Sequence, residues 1–173
     1  MLESSSAQEA GPLKRIHVIG RKNSGKTTLI VDLVKHLAEA GYRVGTIKHT
    51  HHHHELDTPG KDSHRHREAG ATAVGILSPG MIAAFRPTDH GTQDRYDYLS
   101  PMFAGCDLVL VEGNSQSPGI KVEVWRAAVS EEPIAKADNE VTTLVTDDEV
   151  DVGAPVWPRS NIDAIVARLL ELL

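Results

Sequence analysis

The chain has 173 residues, a formal net charge of -6 and only 4% aromatic residues. Its length fits one domain of ordinary size, with a core built mostly from Val, Ile, Leu and Ala. The acidic balance and scarce aromatics argue against a long polyanion or a stacked single strand as ligand, so no nucleic-acid partner is expected. Cys106 is the only cysteine, so no intramolecular disulfide can form. The first dozen residues are polar and acidic, without the basic start and apolar stretch of a signal peptide. No apolar run is long enough to span a bilayer. The expectation is a cytoplasmic protein with no membrane association.

Residues 1–13 read as a disordered arm, and 14–173 as a single domain. Residues 14–19, with the apolar run Ile16-His17-Val18-Ile19, predict a buried strand. Gly20-Arg21-Lys22-Asn23-Ser24-Gly25-Lys26-Thr27 follows and matches G-x-x-x-x-G-K-[ST], the phosphate-binding P-loop. Its glycines let backbone N–H groups curl around phosphate oxygens, and the N-terminus of the next helix favours an anion. Gly20, Asn23, Ser24, Gly25, Lys26, Thr27 and Thr28 are the expected nucleotide contacts. Lys26 reaches the β- and γ-phosphates in such loops, and the Thr27 hydroxyl binds Mg²⁺.

The helix from Thr28 carries Leu29, Leu33, Val34 and Leu37 on one face, and Gly41 closes it as a left-handed cap. Residues 42–48 predict a second strand. Lys48 and His49 at its carboxyl end are placed to face a nucleotide, because ligands of open α/β sheets gather there. Strand, loop, helix and strand together begin a doubly wound, mostly parallel α/β sheet of the P-loop NTPase class.

Residues 49–63 are too polar for a core. Five of the ten histidines fall between His49 and His54. They read either as a metal-binding tract or as a flexible polar loop, and an extended run of histidines forms no preformed site by itself. Asp57-Thr58-Pro59-Gly60-Lys61-Asp62-Ser63 reads as a surface turn before a helix capped by Asp62 or Ser63, or as a switch-like segment in which Asp57 serves Mg²⁺. A short helix to Ala69 ends at Gly70. Residues 72–77 and 81–85 predict an added antiparallel strand pair joined by Ser78-Pro79-Gly80, because the connection is too short for a crossover. Residues 93–104 predict a helix weakened at its end by Pro101.

Asp107-Leu108-Val109-Leu110-Val111-Glu112-Gly113 is an apolar strand with a carboxylate at each end. Glu112 reads as the carboxylate that serves a metal or an attacking water opposite a P-loop, against the plainer reading of a solvated acid. Asp107, at the far end, reads as a structural cap. Strands are predicted at 120–125 and 141–145, with a short strand and loop over 134–138. Ala135-Lys136-Ala137-Asp138 has the Lys-x-Asp spacing of a guanine-specificity motif, so Lys136 and Asp138 are candidate base contacts. Asp147-Asp148-Glu149 reads as a solvated loop. Residues 161–173 predict a closing helix with Ile162, Ile165, Val166, Leu169 and Leu170 inward.

The P-loop, Thr46-Ile47-Lys48-His49, Asp57-x-Pro59-Gly60-Lys61-Asp62-Ser63, Arg65-His66-Arg67-Glu68-Ala69-Gly70-Ala71, Val111-Glu112-Gly113 and Lys121-Val122-Glu123-Val124-Trp125-Arg126 follow one another in an order that resembles the molybdopterin-guanine dinucleotide biosynthesis protein B (MobB) family. The resemblance runs from about residue 15 to residue 138. It implies a homodimeric GTP-binding adapter with weak GTPase activity that assists attachment of GMP to molybdopterin. The implied partners are a molybdopterin guanylyltransferase and molybdenum-inserting proteins. It also implies GTP and Mg²⁺ as cofactors, with Lys26, Asp57 and Glu112 as catalytic positions and Thr27, Asp57 and Glu112 at the metal. This chain departs from the family pattern at Asn114-Ser115 and in a longer polar insert to Gly119. A His-rich P-loop metallochaperone for nickel or zinc is the alternative, and a small-molecule kinase using Arg65 and Arg67 is a more distant one.

Overall fold

A computed structural model describes residues 14–50, 52, 55–88 and 95–173. The expected arm, residues 1–13, and His51, His53 and His54 lie outside the described residues. The chain divides into two compact units, one of residues 1–50 and 96–173 and one of residues 51–95.

The larger unit contains β1 (Arg15–Ile19), α1 (Lys26–Glu39), β2 (Val44–Lys48), β5 (Leu108–Glu112), β6 (Ile120–Val124), β7 (Thr143–Val145), β8 (Val156–Trp157) and α4 (Ile162–Glu171). Its six strands lie in the order β2-β5-β1-β6-β7-β8, and every neighbouring pair is parallel. Parallel strands need crossovers and are covered on both faces, which explains the unbroken apolar run of β5. Alternate residues face opposite ways. Ile16, Val18, Leu108 and Leu110 pack with Leu29, Leu33 and Leu37 of α1 and Ile165 and Leu169 of α4. Val109 and Val111 pack on the other face with Tyr96. The P-loop architecture expected from sequence is present, with the antiparallel pair as a separate sheet.

α1 begins at Lys26, directly after the glycine loop, and ends as expected at Gly41 (φ +89°). The Gly41 N–H donates to the Ala38 carbonyl and the Tyr42 N–H to the Leu37 carbonyl, satisfying carbonyls that a helix end leaves open. In α4, Asn161 Oδ1 accepts from the Ala164 N–H at 3.1 Å and caps the helix start. Ile165 and Leu169 are buried, while Ile162, Val166 and Leu170 are partly buried against the same core.

Three elements differ from the sequence reading. The predicted strand at 134–138 is a 3₁₀ turn over Ile134–Lys136. The cause is Glu123, fully buried in β6, whose carboxylate accepts the Ile134 and Ala135 N–H groups at 2.7 and 2.8 Å. The helix expected to reach residue 104 is α3 (Arg95–Leu99) followed by a 3₁₀ turn, Ser100–Phe103, with Pro101 in its first turn. The two-residue strand β8 was not expected at all.

Asp107 serves as a tie between strand starts. Its carboxylate accepts from the Arg43 backbone N–H at 2.7 Å and from Arg43 Nη2 at 2.8 Å, which joins the beginnings of β2 and β5. Those bonds hold its pKa down to about 2.

In the unit of residues 51–95, α2 (Asp62–Glu68) precedes a hairpin of β3 (Val74–Ser78) and β4 (Met81–Phe85). The strands pair antiparallel from Val74 opposite Phe85 to Ser78 opposite Met81, as the short turn predicts. The N-cap of α2 is Lys61, without a side-chain cap. The predicted cap Ser63 instead donates its hydroxyl to Asp57 Oδ1 at 2.9 Å.

Candidate functional site

Because all six strands run the same way, their carboxyl ends share one edge of the sheet. The loop between β1 and α1 lies at that edge, as do the residues following β2, β5, β6, β7 and β8. Gly20 opens the loop at φ +137°, and a Cβ there would fall 2.3 Å from the Val124 carbonyl oxygen. No other residue fits without moving the backbone of β6. Asn23 (φ 66°) and Gly25 (φ +102°) complete the curl. The first α1 bond runs from the Leu29 N–H to the Gly25 carbonyl, so the amides just before it lack helical partners and face an anion site. Ser24 is buried, and its hydroxyl has no hydrogen-bond partner among the described residues.

Lys26 Nζ donates to the Gly20 and Arg21 carbonyls at 3.0 and 2.7 Å. The ammonium is therefore folded over the loop that would hold the phosphates. Partial burial lowers its pKa; Glu112 opposes that shift and Lys48 adds to it.

Thr27 Oγ1 donates to Glu112 Oε2 at 2.9 Å, although the two residues lie 85 positions apart. Lys48 Nζ lies 3.6 Å from Glu112 Oε1. β5 delivers Glu112 here because it pairs with both β1 and β2, with Val18 and Lys48 each opposite Glu112. The Gly113 N–H donates to the Val18 carbonyl at 2.9 Å, and the His49 N–H to the Glu112 carbonyl at 3.0 Å. These bonds fix the direction in which the Glu112 side chain leaves the sheet. The sequence candidates Lys26, Thr27, Lys48 and Glu112 thus converge on one spot. A hydroxyl and a carboxylate at the mouth of a P-loop fit a Mg²⁺ ion that keeps several waters and takes its remaining ligands from phosphates.

Asp57, Lys136 and Asp138 are the remaining candidates. Asp57 belongs to the 51–95 unit, where it is 9% exposed. Its Oδ1 accepts from the Thr58 N–H at 2.7 Å and from Ser63 Oγ at 2.9 Å, while buried Oδ2 has no hydrogen-bond partner among the described residues. Lys136 pairs with Glu132 at 2.5 Å, which raises its pKa. Asp138 Oδ1 accepts the Glu140 N–H at 2.9 Å. Lys136 and Asp138 line a cavity with Thr142, Asp151 and Pro155, residues that precede β7 and β8. Ala135 and Val141 of that lining pack against Ile19, the last residue of β1.

The model of the family described as molybdopterin guanine dinucleotide synthesis protein B (MobB) matches residues 15–147. The chain belongs to the MobB family. The molybdopterin-guanine dinucleotide biosynthesis adapter protein of Haemophilus influenzae is 34% identical to it over 150 residues, covering 86% of this chain and 83% of that protein. The Escherichia coli adapter protein is 28% identical over 151 residues, covering 86% of each. A crystal structure titled molybdopterin-guanine biosynthesis protein B (mobB) aligns with a TM-score of 0.70 at 26% identity, over 92% of this chain and 99% of that one.

MobB membership and the P-loop together mark a nucleotide-binding protein and favour the adapter reading over a metallochaperone. Among the described residues, no group of three His, Cys, Asp or Glu side chains is arranged to hold a metal ion. No helix among them is long and apolar enough to cross a membrane. The MobB match ends at Asp147, the residue with which the sequence reading began its solvated loop. That loop lies beside the P-loop: Asp147 and Asp148 share a cavity with Ser24, Gly25 and Thr28. Only the position of β7 in the sheet brings them there, and no local pattern signals it.

Proposed function

We propose that this MobB chain is a GTP-binding adapter in molybdenum cofactor biosynthesis, assisting attachment of GMP to molybdopterin. The observation that carries the nucleotide part is the Thr27–Glu112 hydrogen bond at the mouth of an intact P-loop. The named activity of the 34% identical relative supports the pathway.

In this reading Lys26 leaves the Gly20 and Arg21 carbonyls and donates to phosphate oxygens. Its partial burial strengthens that charge-assisted bond. Thr27 and Glu112 hold Mg²⁺, which neutralises phosphate charge when bound. Glu112, steadied by Lys48, also orients water for a slow hydrolysis of GTP. Slow turnover agrees with the lack of an assigned arginine to stabilise the developing γ-phosphate charge. The adapter works as a homodimer in the cytoplasm, with a molybdopterin guanylyltransferase and molybdenum-inserting proteins as partners.

Calorimetry of GTP with Mg²⁺ tests the nucleotide claim. Lys26→Ala is expected to weaken GTP by roughly 100-fold, the loss of two charge-assisted bonds. Unchanged affinity in a folded variant rejects the phosphate role of the loop. For the adapter claim, the chain is titrated into a purified molybdopterin guanylyltransferase with and without GTP, and absence of a complex in both cases counts against it.

A further inference from the structure

A cavity of about 420 Å³ adjoins the phosphate loop on the side away from Glu112. Ser24 and Thr28 form one wall. Trp125 and Arg126 after β6, Asp147 after β7 and Arg159 after β8 form the others. We propose that this cavity is the purine pocket of the nucleotide site and that Asp147 selects guanine. The proposal rests on the GTP-binding reading and names the residue that reads the base.

Topology gives the first argument. From a phosphate cradle at the end of β1, a nucleotide can extend toward β2 and β5 or toward β6, β7 and β8. The first direction leads to Glu112 and Lys48 and then into a groove lined by Ile30, Val31, Val34 and Ile47. That groove is apolar and offers little to the polar edge of a purine. The second direction leads past Thr28 to a carboxylate and an indole.

The chemistry of Asp147 gives the second. Its Oδ1 accepts both the Ser160 N–H and the Ser160 hydroxyl, each at 2.9 Å. Those bonds, with the Ser160 backbone contribution largest, lower its pKa, and the side chain is nevertheless exposed. The result is an oriented, ionised acceptor. Guanine presents N1–H and an N2 amino group side by side, two donors that one carboxylate can accept. Adenine presents an acceptor nitrogen and a C–H at the corresponding positions, so Asp147 would face it unpaired.

The walls supply the third. Trp125 lines the cavity and is held in place, 4% exposed, by a bond from Nε1 to the Ser130 carbonyl at 3.1 Å. Arg159 is engaged by Asp32 of α1, which keeps its guanidinium from being taken up by Asp147 alone. Ser24, buried with an unpartnered hydroxyl, also lines the cavity and is one polar group that a bound nucleotide would satisfy. Asp138, the carboxylate singled out by sequence spacing, lines a different cavity with Lys136 and Thr142, and its Oδ1 already accepts the Glu140 N–H at 2.9 Å.

The test is a calorimetric series on the whole chain with tripolyphosphate, GTP, inosine triphosphate, xanthosine triphosphate and ATP. GTP is expected to bind at least tenfold more tightly than inosine triphosphate and more tightly still than ATP. Asp147→Asn should weaken GTP at least tenfold, strengthen xanthosine triphosphate and leave tripolyphosphate unchanged. Asp138→Asn should change none of them. Equal binding of GTP and ATP by the unmodified chain overturns the proposal without touching the phosphate loop. So does loss of guanine preference in Asp138→Asn but not in Asp147→Asn. Failure of the unmodified chain to bind tripolyphosphate or any nucleotide defeats the GTP reading itself. If Asp147→Asn does not fold, the ligand series on the unmodified chain still decides, since a carboxylate that accepts both N1–H and N2 requires GTP to bind more tightly than inosine triphosphate, and equal binding of those two overturns the proposal.

Discussion

In the six-stranded unit, Leu33, Leu110 and Leu144 have no exposure at all, whereas in the 51–95 unit Leu77, Met81 and Ile82 are 81%, 72% and 65% exposed. The first unit owes its shape to burial on both faces of a parallel sheet. The second is a short helix and a lone hairpin, and a two-stranded hairpin alone is marginal in water. What orders its first part is polar: buried Asp57 gathers Thr58 and Ser63, while Glu55 holds Arg67 at 2.6 Å. The two regions should therefore fail differently, one by loss of packing and the other by loss of hydrogen bonds.

The largest expected effect lies in the sheet unit. Leu33→Ala should lower global stability by about 2–5 kcal/mol, because the methyl groups removed leave a cavity between α1 and the sheet. Leu77→Ala, the same truncation on the hairpin, should stay within about 0.5 kcal/mol. Urea unfolding of both variants measures the contrast, and comparable losses would erase the distinction between the units.

Asp57→Ala should have an intermediate and local effect. It removes the acceptor for the Thr58 N–H and the Ser63 hydroxyl, lowering local opening free energy by roughly 1–3 kcal/mol. Hydrogen exchange should accelerate at the Thr58 and Arg65 amides and stay unchanged at Val109 and Leu144. Acceleration throughout would mean that Asp57 supports the whole chain.

The smallest effect is electrostatic. Asp107 titrates at about 2 in the folded chain, below its ordinary 3.8, because Arg43 holds the carboxylate. Its folded pKa is depressed, so its contribution is complete above about pH 4 and disappears as pH falls through about 2. Carboxyl NMR titration should place the midpoint there, and Arg43→Ala should return it toward 3.8. A midpoint unmoved by that substitution would remove the tie between β2 and β5.

Legibility from sequence followed the same division. The P-loop, α1 and β5 were readable because each signal is local: a glycine spacing, a 3.6-residue apolar stripe, an unbroken apolar strand. The placement of Glu112 at the P-loop mouth was readable because an apolar strand of this kind lies beside the P-loop strand and carries its terminal acid there. The strand β8 was not, since Val156 and Trp157 stand between prolines and acquire strand character only by pairing with Leu144 and Val145. The turn at 134–136 was misread because its organiser, Glu123, lies on another element. The position of Asp147 beside the P-loop was not readable, because three acids in a row look solvated until the parallel order of β6, β7 and β8 brings them to the loop.

The central place of β1 has a consequence for how the chain is made. Ile16 finds its sheet partners only when Leu110 and Ile120 exist. At about 5–20 residues per second, β1 and the apolar face of α1 wait about 5–20 s for a neighbour during synthesis. A newly made N-terminal segment thus emerges with Ile16, Val18, Leu29 and Leu33 uncovered and without its sheet partners. Yield in the cell should then depend on chaperone supply more steeply than the equilibrium stability of the finished fold suggests.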